Sequence, residues 1–234
     1  MLKIQNLKKI YPNGKVGVQD VNIEVRPGDI YAFIGPNGSG KTTTIKCIVG
    51  ALNFEQGEVF IDGMSVKQKP LECKKVIGYV PDQPDVYSTL TGMQFINFVC
   101  SVYKVPVDRK TELVKKYASM WELEKDLGLP ISAYSHGMKQ KLVLISALVR
   151  EPKILILDEP FVGLDPKASF VLKEFMKTFT ASGGAIFYST HVLEVAEKLC
   201  NKVAIVKDGK IVADGTMESV KKNKSLEQVF LSLE

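Results

Sequence analysis

Apolar residues open this 234-residue chain at strand-like spacing: residues 2–11 and 21–25 read as β-type runs, followed by the continuous apolar strand 30–34. A glycine-rich turn then leads into a helix starting near Lys41. Its Ile45, Ile48, Val49 and Leu52 recur at i, i+3, i+4 and i+7, which predicts one buried face. Residues 58–61 and 76–80 predict two more strands. From 87 to 150 the strand signal stops. Phe95, Phe98, Val99 and Val102 form one helical stripe and Leu113, Tyr117, Met120 and Trp121 a second, so this stretch reads as a helical insert. Alternation then resumes with strand 154–157, a helix over 166–179, strand 185–189 and a helix from about His191. That order predicts a mostly parallel sheet with helices on both faces. Runs 203–207 and 210–213 flank Asp208-Gly209, the pair favoured in a two-residue type I′ hairpin. A last amphipathic helix ends the chain.

Composition narrows this only slightly. The 45% apolar content supports a full core, and 31 basic against 26 acidic residues leave a net charge of +5, too diffuse to imply a nucleic-acid partner. The longest apolar-rich stretch, 142–149, is far short of a membrane span, and the first twelve residues lack the apolar core of a signal peptide. A soluble, cytoplasmic protein is expected. Cys47, Cys73, Cys100 and Cys200 are widely spaced and read as small buried residues, not as a zinc site or disulfide framework.

The chemistry is concentrated at strand ends. Gly35, Pro36, Asn37, Gly38, Ser39, Gly40, Lys41 and Thr42 fit G-x-x-x-x-G-K-[ST] between a predicted strand and a predicted helix, the setting of a P-loop. Glycines there let backbone N–H groups converge on phosphate oxygens. Lys41 would neutralise the β and γ phosphates, and Thr42 would offer its hydroxyl to Mg²⁺. Strand 154–157 ends in Asp158-Glu159-Pro160, which puts two acids where a doubly wound sheet binds ligands. Asp158 is suited to Mg²⁺, and Glu159 to the water that attacks the γ-phosphate. His191, just past another strand, could reach the same edge as a donor to phosphate or water.

With Tyr134-Ser135-His136-Gly137-Met138 between the P-loop and Asp158, and Gly163-Leu164-Asp165 after Glu159, the chain resembles the nucleotide-binding subunit of ABC transporters over nearly its whole length. The resemblance implies an α/β fold: a P-loop NTPase core with a mostly parallel sheet, an antiparallel β lobe and an inserted helical lobe. On that plan 1–234 is one ABC ATPase domain, with 1–86 and 151–234 forming the core and β lobe and 87–150 the helical lobe. It also implies ATP and Mg²⁺ as ligands and a head-to-tail dimer, homo- or heterodimeric, sandwiching two ATP molecules. Tyr11 then matches the aromatic that stacks on adenine. Lys41, Thr42 and the adjoining Thr43 fall on Walker A, Asp158 and Glu159 on Walker B, Asp165 on the D-loop, and His191 on the switch histidine. Ser135 and Gly137 match signature residues that contact the γ-phosphate of the opposite subunit. Ser135 can also N-cap the helix carrying Met138, Leu142, Ile145 and Val149, aiming a positive helix end at phosphate.

Two departures stand out. The signature differs from L-S-G-G-Q at Tyr134, His136 and Met138, and His136 is read as a tolerated helix-start residue, with a fourth polar contact to the incoming phosphate as the alternative. The Q-loop string is Tyr79-Val80-Pro81-Asp82-Gln83, in which Asp82 takes the expected glutamine place near Mg²⁺ or the attacking water, with Gln83 as the alternative. The ending Leu226-Glu227-Gln228-Val229-Phe230-Leu231 is similar to ATPases of ABC-2 type exporters; by itself it reads as an amphipathic helix packing Leu226, Val229 and Phe230 on the core. An exporter motor at the cytoplasmic membrane face, bound to separate transmembrane permease subunits and to no nucleic acid, is the expectation. Val86, Tyr87 and Leu90 are candidate contacts to the permease. A soluble ABC ATPase working on ribosomes or nucleic acid is the alternative, with the lysines 221, 222 and 224 as a small basic patch.

Overall fold

The computed structural model describes residues 1–84 and 86–233. Two sheets organise it. Strands β1 (Leu2–Ile10), β2 (Val16–Val25), β4 (Gln56–Ile61) and β5 (Met64–Ser65) form an antiparallel sheet in the order β2-β1-β4-β5. The second sheet runs β10-β9-β3-β8-β7-β6, from β3 (Ile30–Ile34), β6 (Ile77–Val80), β7 (Ile154–Asp158), β8 (Ala185–Thr190), β9 (Lys202–Lys207) and β10 (Lys210–Thr216). All its neighbours pair in parallel except the β9–β10 hairpin. At the tip of that hairpin Asp208 and Gly209 both have positive φ, 48° and 76°, as a type I′ turn requires.

The parallel strands bury both faces, so their side chains divide by parity. Ile30, Ala32, Ile34, Leu155, Leu157, Ile186 and Tyr188 join one core, with Leu142 and Ile145 of α5 (His136–Leu148) and Leu172 and Met176 of α6 (Pro166–Ala181). Tyr31, Phe33, Ile154, Ile156 and Phe187 join the other, with Ile45 and Ile48 of α1 (Lys41–Ile48) and the inner face of the antiparallel sheet. Between β6 and β7 the chain forms α3 (Gly92–Val102), α4 (Val107–Met120) and α5, with short 3₁₀ turns at Glu124–Asp126 and Ile131–Ala133. No helix among the described residues is long and apolar enough to cross a membrane.

Several local readings need correction. Helix α1 stops at Ile48, and Leu52 packs on the second core from the loop beyond it. A helix α2 (Pro70–Val76), with Pro70 at its first turn, precedes β6 and takes Val76 out of the strand. Helix α7 (Leu193–Leu199) begins past His191, and the final helical run is two pieces, α8 (Met217–Lys221) and α9 (Leu226–Ser232). In α3 the buried face is Gly92, Ile96 and Cys100, while Phe98 and Val102 are exposed. A stripe read by periodicity alone does not say which side of the helix meets the core. The four cysteines are buried and free, as expected of small core residues.

Candidate functional site

Strand register brings the chemistry to one edge. Ile34 pairs with Thr190 and Asp158 with Ser189, so the turn after β3, the end of β7 and the end of β8 leave the sheet together. Val80 pairs with Leu157, which sends Pro81-Asp82 out at the same edge. A cavity of about 440 Å³ lies there, lined by Tyr11, Asn37, Gly38, Gly40, Lys41, Thr42, Thr43, Asp82 and Glu159, with Asn13, Lys15, Val16 and Gly17 completing the wall.

The glycine-rich turn is held in place by two neighbouring segments. A Cβ on Gly40 would fall 2.6 Å from the Gly17 carbonyl oxygen, and one on Gly35 would fall 2.3 Å from that of Val206. Gly209 N donates to Ser39 O at 2.9 Å, and Gln19 N donates to Gly209 O at 2.7 Å. Strand β2, the phosphate turn and the β9–β10 hairpin therefore meet at backbone distance, and no side chain fits between them. Gly40 itself sits at φ 107°, a conformation that favours glycine. Gly17 was not among the expected site residues. In the sequence it falls between the β-type runs 2–11 and 21–25, so no local signal marks it; only the start of β2 at Val16 shows it as a strand glycine at a close backbone approach.

Lys41 is buried, and its Nζ donates to Gly35 O at 2.7 Å and Pro36 O at 3.2 Å. Burial lowers its pKa, against the raising effect of Glu159 and Asp158. Asp158 is fully buried; Ser189 Oγ donates to its Oδ1, while Oδ2 has no hydrogen-bond partner among the described residues. Burial pushes its carboxyl up, the Ser189 bond and the neighbouring Thr42 hydroxyl oppose this, and the charges of Asp82 and Glu159 add to the rise. A buried anionic oxygen without a donor is costly unless something positive meets it, so the residues fit a divalent cation beside Thr42.

Glu159 follows with φ 48°, its backbone N donating to Ser189 Oγ at 3.0 Å. Its carboxylate lies between two basic groups: Oε1 is 3.9 Å from Lys41 Nζ, and Oε2 is 3.0 Å from His191 Nδ1. The half-exposed His191 thus lies at the same sheet edge, with its ring against the Glu159 carboxylate. Asp82 lines the cavity, and Gln83 is exposed and off its wall. The Tyr79 hydroxyl is pushed up to about 12, by burial first and then by the charges of Asp158 and Asp82.

Ser135, Gly137 and Asp165 do not line this cavity. They form a separate group at the start of α5 and α6. Ser135 Oγ accepts from Met138 N at 3.2 Å and Asp165 Oδ1 accepts from Ala168 N at 2.8 Å, two N-caps, and Lys141 Nζ lies 3.3 Å from Asp165 Oδ2. Tyr134 is explained by packing. Its hydroxyl donates to Asp126 O at 2.6 Å, and Gly92 leaves room for it. Of the three candidate contacts near the β6 exit, Val86 and Leu90 pack against the first core, and Tyr87 is exposed, edge-on to the Phe98 ring at 5.8 Å between centroids.

The model of the ABC transporter family matches residues 18–162. Among curated relatives, the SkfA peptide export ATP-binding protein SkfE of Bacillus subtilis (strain 168) is 35% identical over 214 residues, covering 92% of this chain and 88% of SkfE. The glycine betaine/carnitine/choline transport ATP-binding protein OpuCA of the same organism is 32% identical over 235 residues, 98% of this chain and 61% of OpuCA. A solved ATP-binding subunit of an ABC transporter superposes with a TM-score of 0.95 at 31% identity, covering 100% of this chain and 99% of that one. The phosphate turn, the paired acids, the fold and the relatives agree: the chain belongs to the ABC transporter family and is one of its ATP-hydrolysing, ATP-binding domains.

Proposed function

We propose that this chain is the motor subunit of an ABC exporter, in which ATP-driven closure of a head-to-tail dimer moves separate permease subunits. The observation that carries the coupling is an exposed apolar face made by Phe98 and Val102 of α3 and by Tyr87, which packs edge-on to Phe98 and lies just past Asp82 where the chain leaves β6. Exposed rings on a surface joined directly to the nucleotide edge suit a partner that must sense its state. Residues 87–150 act as the lobe that transmits the motion, and 1–86 with 151–234 as the catalytic core.

At the site, Tyr11 stacks on the base, and the amides of residues 35–40 with Lys41 hold the phosphates. Thr42 and Asp158, with Asp82 beside them in place of Gln83, would hold Mg²⁺, which when bound neutralises phosphate charge. Glu159 takes a proton from the attacking water, and His191 keeps that carboxylate aimed while facing the γ-phosphate. Ser135, Gly137 and Asp165 serve the cavity of the opposite subunit, in keeping with their distance from this chain's own cavity. The export direction rests on the likeness of residues 226–231 to exporter ATPases and on the peptide-export relative, against a choline-transport relative of similar identity.

The test is to tag the chain, isolate it from gently solubilised membranes of its host with and without ATP, and identify its partners by mass spectrometry. A polytopic membrane protein in near-equal amount is expected. Recovery only with ribosomes or DNA would overturn the transport reading in favour of a soluble ABC ATPase.

A further inference from the structure

We infer that the Thr43 hydroxyl is a positioning group for the Tyr11 ring, fixing the base platform to the same helix that carries Lys41 and Thr42. The inference rests on the reading of Tyr11 as the base-stacking ring. Tyr11 lies at the tip of the β1–β2 hairpin, where its N donates to Lys15 O and its O accepts from Gly14 N, both at 2.8 Å. Those bonds fix its backbone. They leave the two side-chain torsions free, and a half-exposed tyrosine has several staggered positions to choose from.

Two further contacts remove that choice. The Tyr11 hydroxyl lies 2.9 Å from Thr43 Oγ1, a hydrogen bond between the hairpin and the third residue of α1. On the other side, a Cβ at Gly17 would fall 2.8 Å from Tyr11 Cε2 and 3.0 Å from Thr43 Cγ2. The ring therefore occupies a slot left by a missing side chain and is tied at its far end. Tyr11, Gly17 and Thr43 all face the nucleotide cavity. Because Thr43 directly follows Lys41-Thr42, the bond sets the spacing between the base platform and the phosphate cradle. A ring already held in one orientation loses less freedom when a base stacks on it, which raises affinity without adding a contact to the ligand.

Such a device acts on ligands that have a base and is silent for those that lack one. Binding of ATP and of inorganic tripolyphosphate to the full chain, measured by calorimetry, separates the two. Tyr11→Phe and Thr43→Val should each weaken ATP by about three- to tenfold, the loss of one hydrogen bond's net effect. The double variant should be no weaker than either single one, Thr43→Ser should bind as the parent does, and Tyr11→Phe should leave tripolyphosphate unchanged. Losses that multiply in the double variant, or a Tyr11→Phe protein with parental ATP affinity, would overturn the inference. So would a Thr43→Val loss equal for ATP and tripolyphosphate, which assigns that hydroxyl to the phosphates instead. Tyr11→Ala separates the two levels: if it leaves the ratio of ATP to tripolyphosphate affinity unchanged, the platform reading falls and the inference with it. If it lowers that ratio while Tyr11→Phe does not, only the hydroxyl tie is wrong.

Discussion

The His136 ring fills the space beside Gly163 so closely that a Cβ on the glycine would lie 2.1 Å from His136 Cδ2. The two residues belong to different segments, the first turn of α5 and the turn before α6. Gly137 tightens the same junction, since a Cβ there would fall 2.8 Å from Gly163 O, and the Lys141–Asp165 pair spans it at 3.3 Å. His136 is thus a packing residue against the turn before α6. Gly163 also has φ 79°, where any other residue is strained. Gly163→Ala should cost about 1–3 kcal/mol in urea unfolding, from backbone strain plus the clash. In a His136→Gly background the penalty should shrink by about 1 kcal/mol, leaving the backbone part. Equal penalties in both backgrounds would show that the ring does not press on Gly163.

Glu159 is aimed by His191 and Lys41, and its backbone by Ser189. Glu159→Gln keeps the shape and removes the base, so ATP turnover should fall by about 10²–10⁴-fold while ATP binding persists and the dimer stays closed. Size-exclusion chromatography with ATP reads the closed dimer. Hydrolysis at the parental rate would take Glu159 out of its assigned role.

Asp82 lines the cavity at the β6 exit, whereas Gln83 is exposed and does not line it. Asp82→Ala should therefore depress ATPase and weaken the dependence on Mg²⁺, and Gln83→Ala should leave both near the parental level. A Mg²⁺ titration of ATPase rates in the two variants decides between them, and the reverse ranking would return the Q-loop role to Gln83.

A stability prediction lies away from the site. The buried Asp29 carboxylate accepts from Arg26 N at 2.7 Å, Lys202 Nζ at 2.9 Å and Asn201 Nδ2 at 2.9 Å, tying the start of β3 to the start of β9. Burial raises its pKa, but the Lys202 ammonium and the two N–H donors outweigh this and hold it below its ordinary value. A carboxyl depressed in the folded state stabilises the fold above its unfolded pKa, and that contribution is lost as pH falls through the folded value. Asp29→Asn should cost about 1–3 kcal/mol at neutral pH by loss of charge-assisted bonds. The difference from the parent should narrow below about pH 4. A gap constant from pH 7 to pH 3 in denaturant melts would remove the charge from the explanation.

The phosphate turn and the paired acids were legible in the chain because their chemistry depends on residues adjacent in sequence. Gly35 to Thr42 and Asp158-Glu159 each carry a complete local requirement, glycine freedom before a helix or acids at the end of an apolar strand. The Asp208-Gly209 turn was legible for the same reason, since its positive φ values are demanded within two residues. What depends on contacts between distant segments could be settled only by the tertiary structure. Periodicity showed that α3 has an apolar stripe, but neighbouring helices decided that Ile96 and Cys100 turn inward and Phe98 outward. Gly17 falls between two β-type runs and carries no role until β2 meets the phosphate turn, and His136 reads as a tolerated helix start until Gly163 is placed beside it. Local chemistry is written at fixed spacing along one chain, whereas a close approach between segments is a property of two stretches whose separation only the folded core sets.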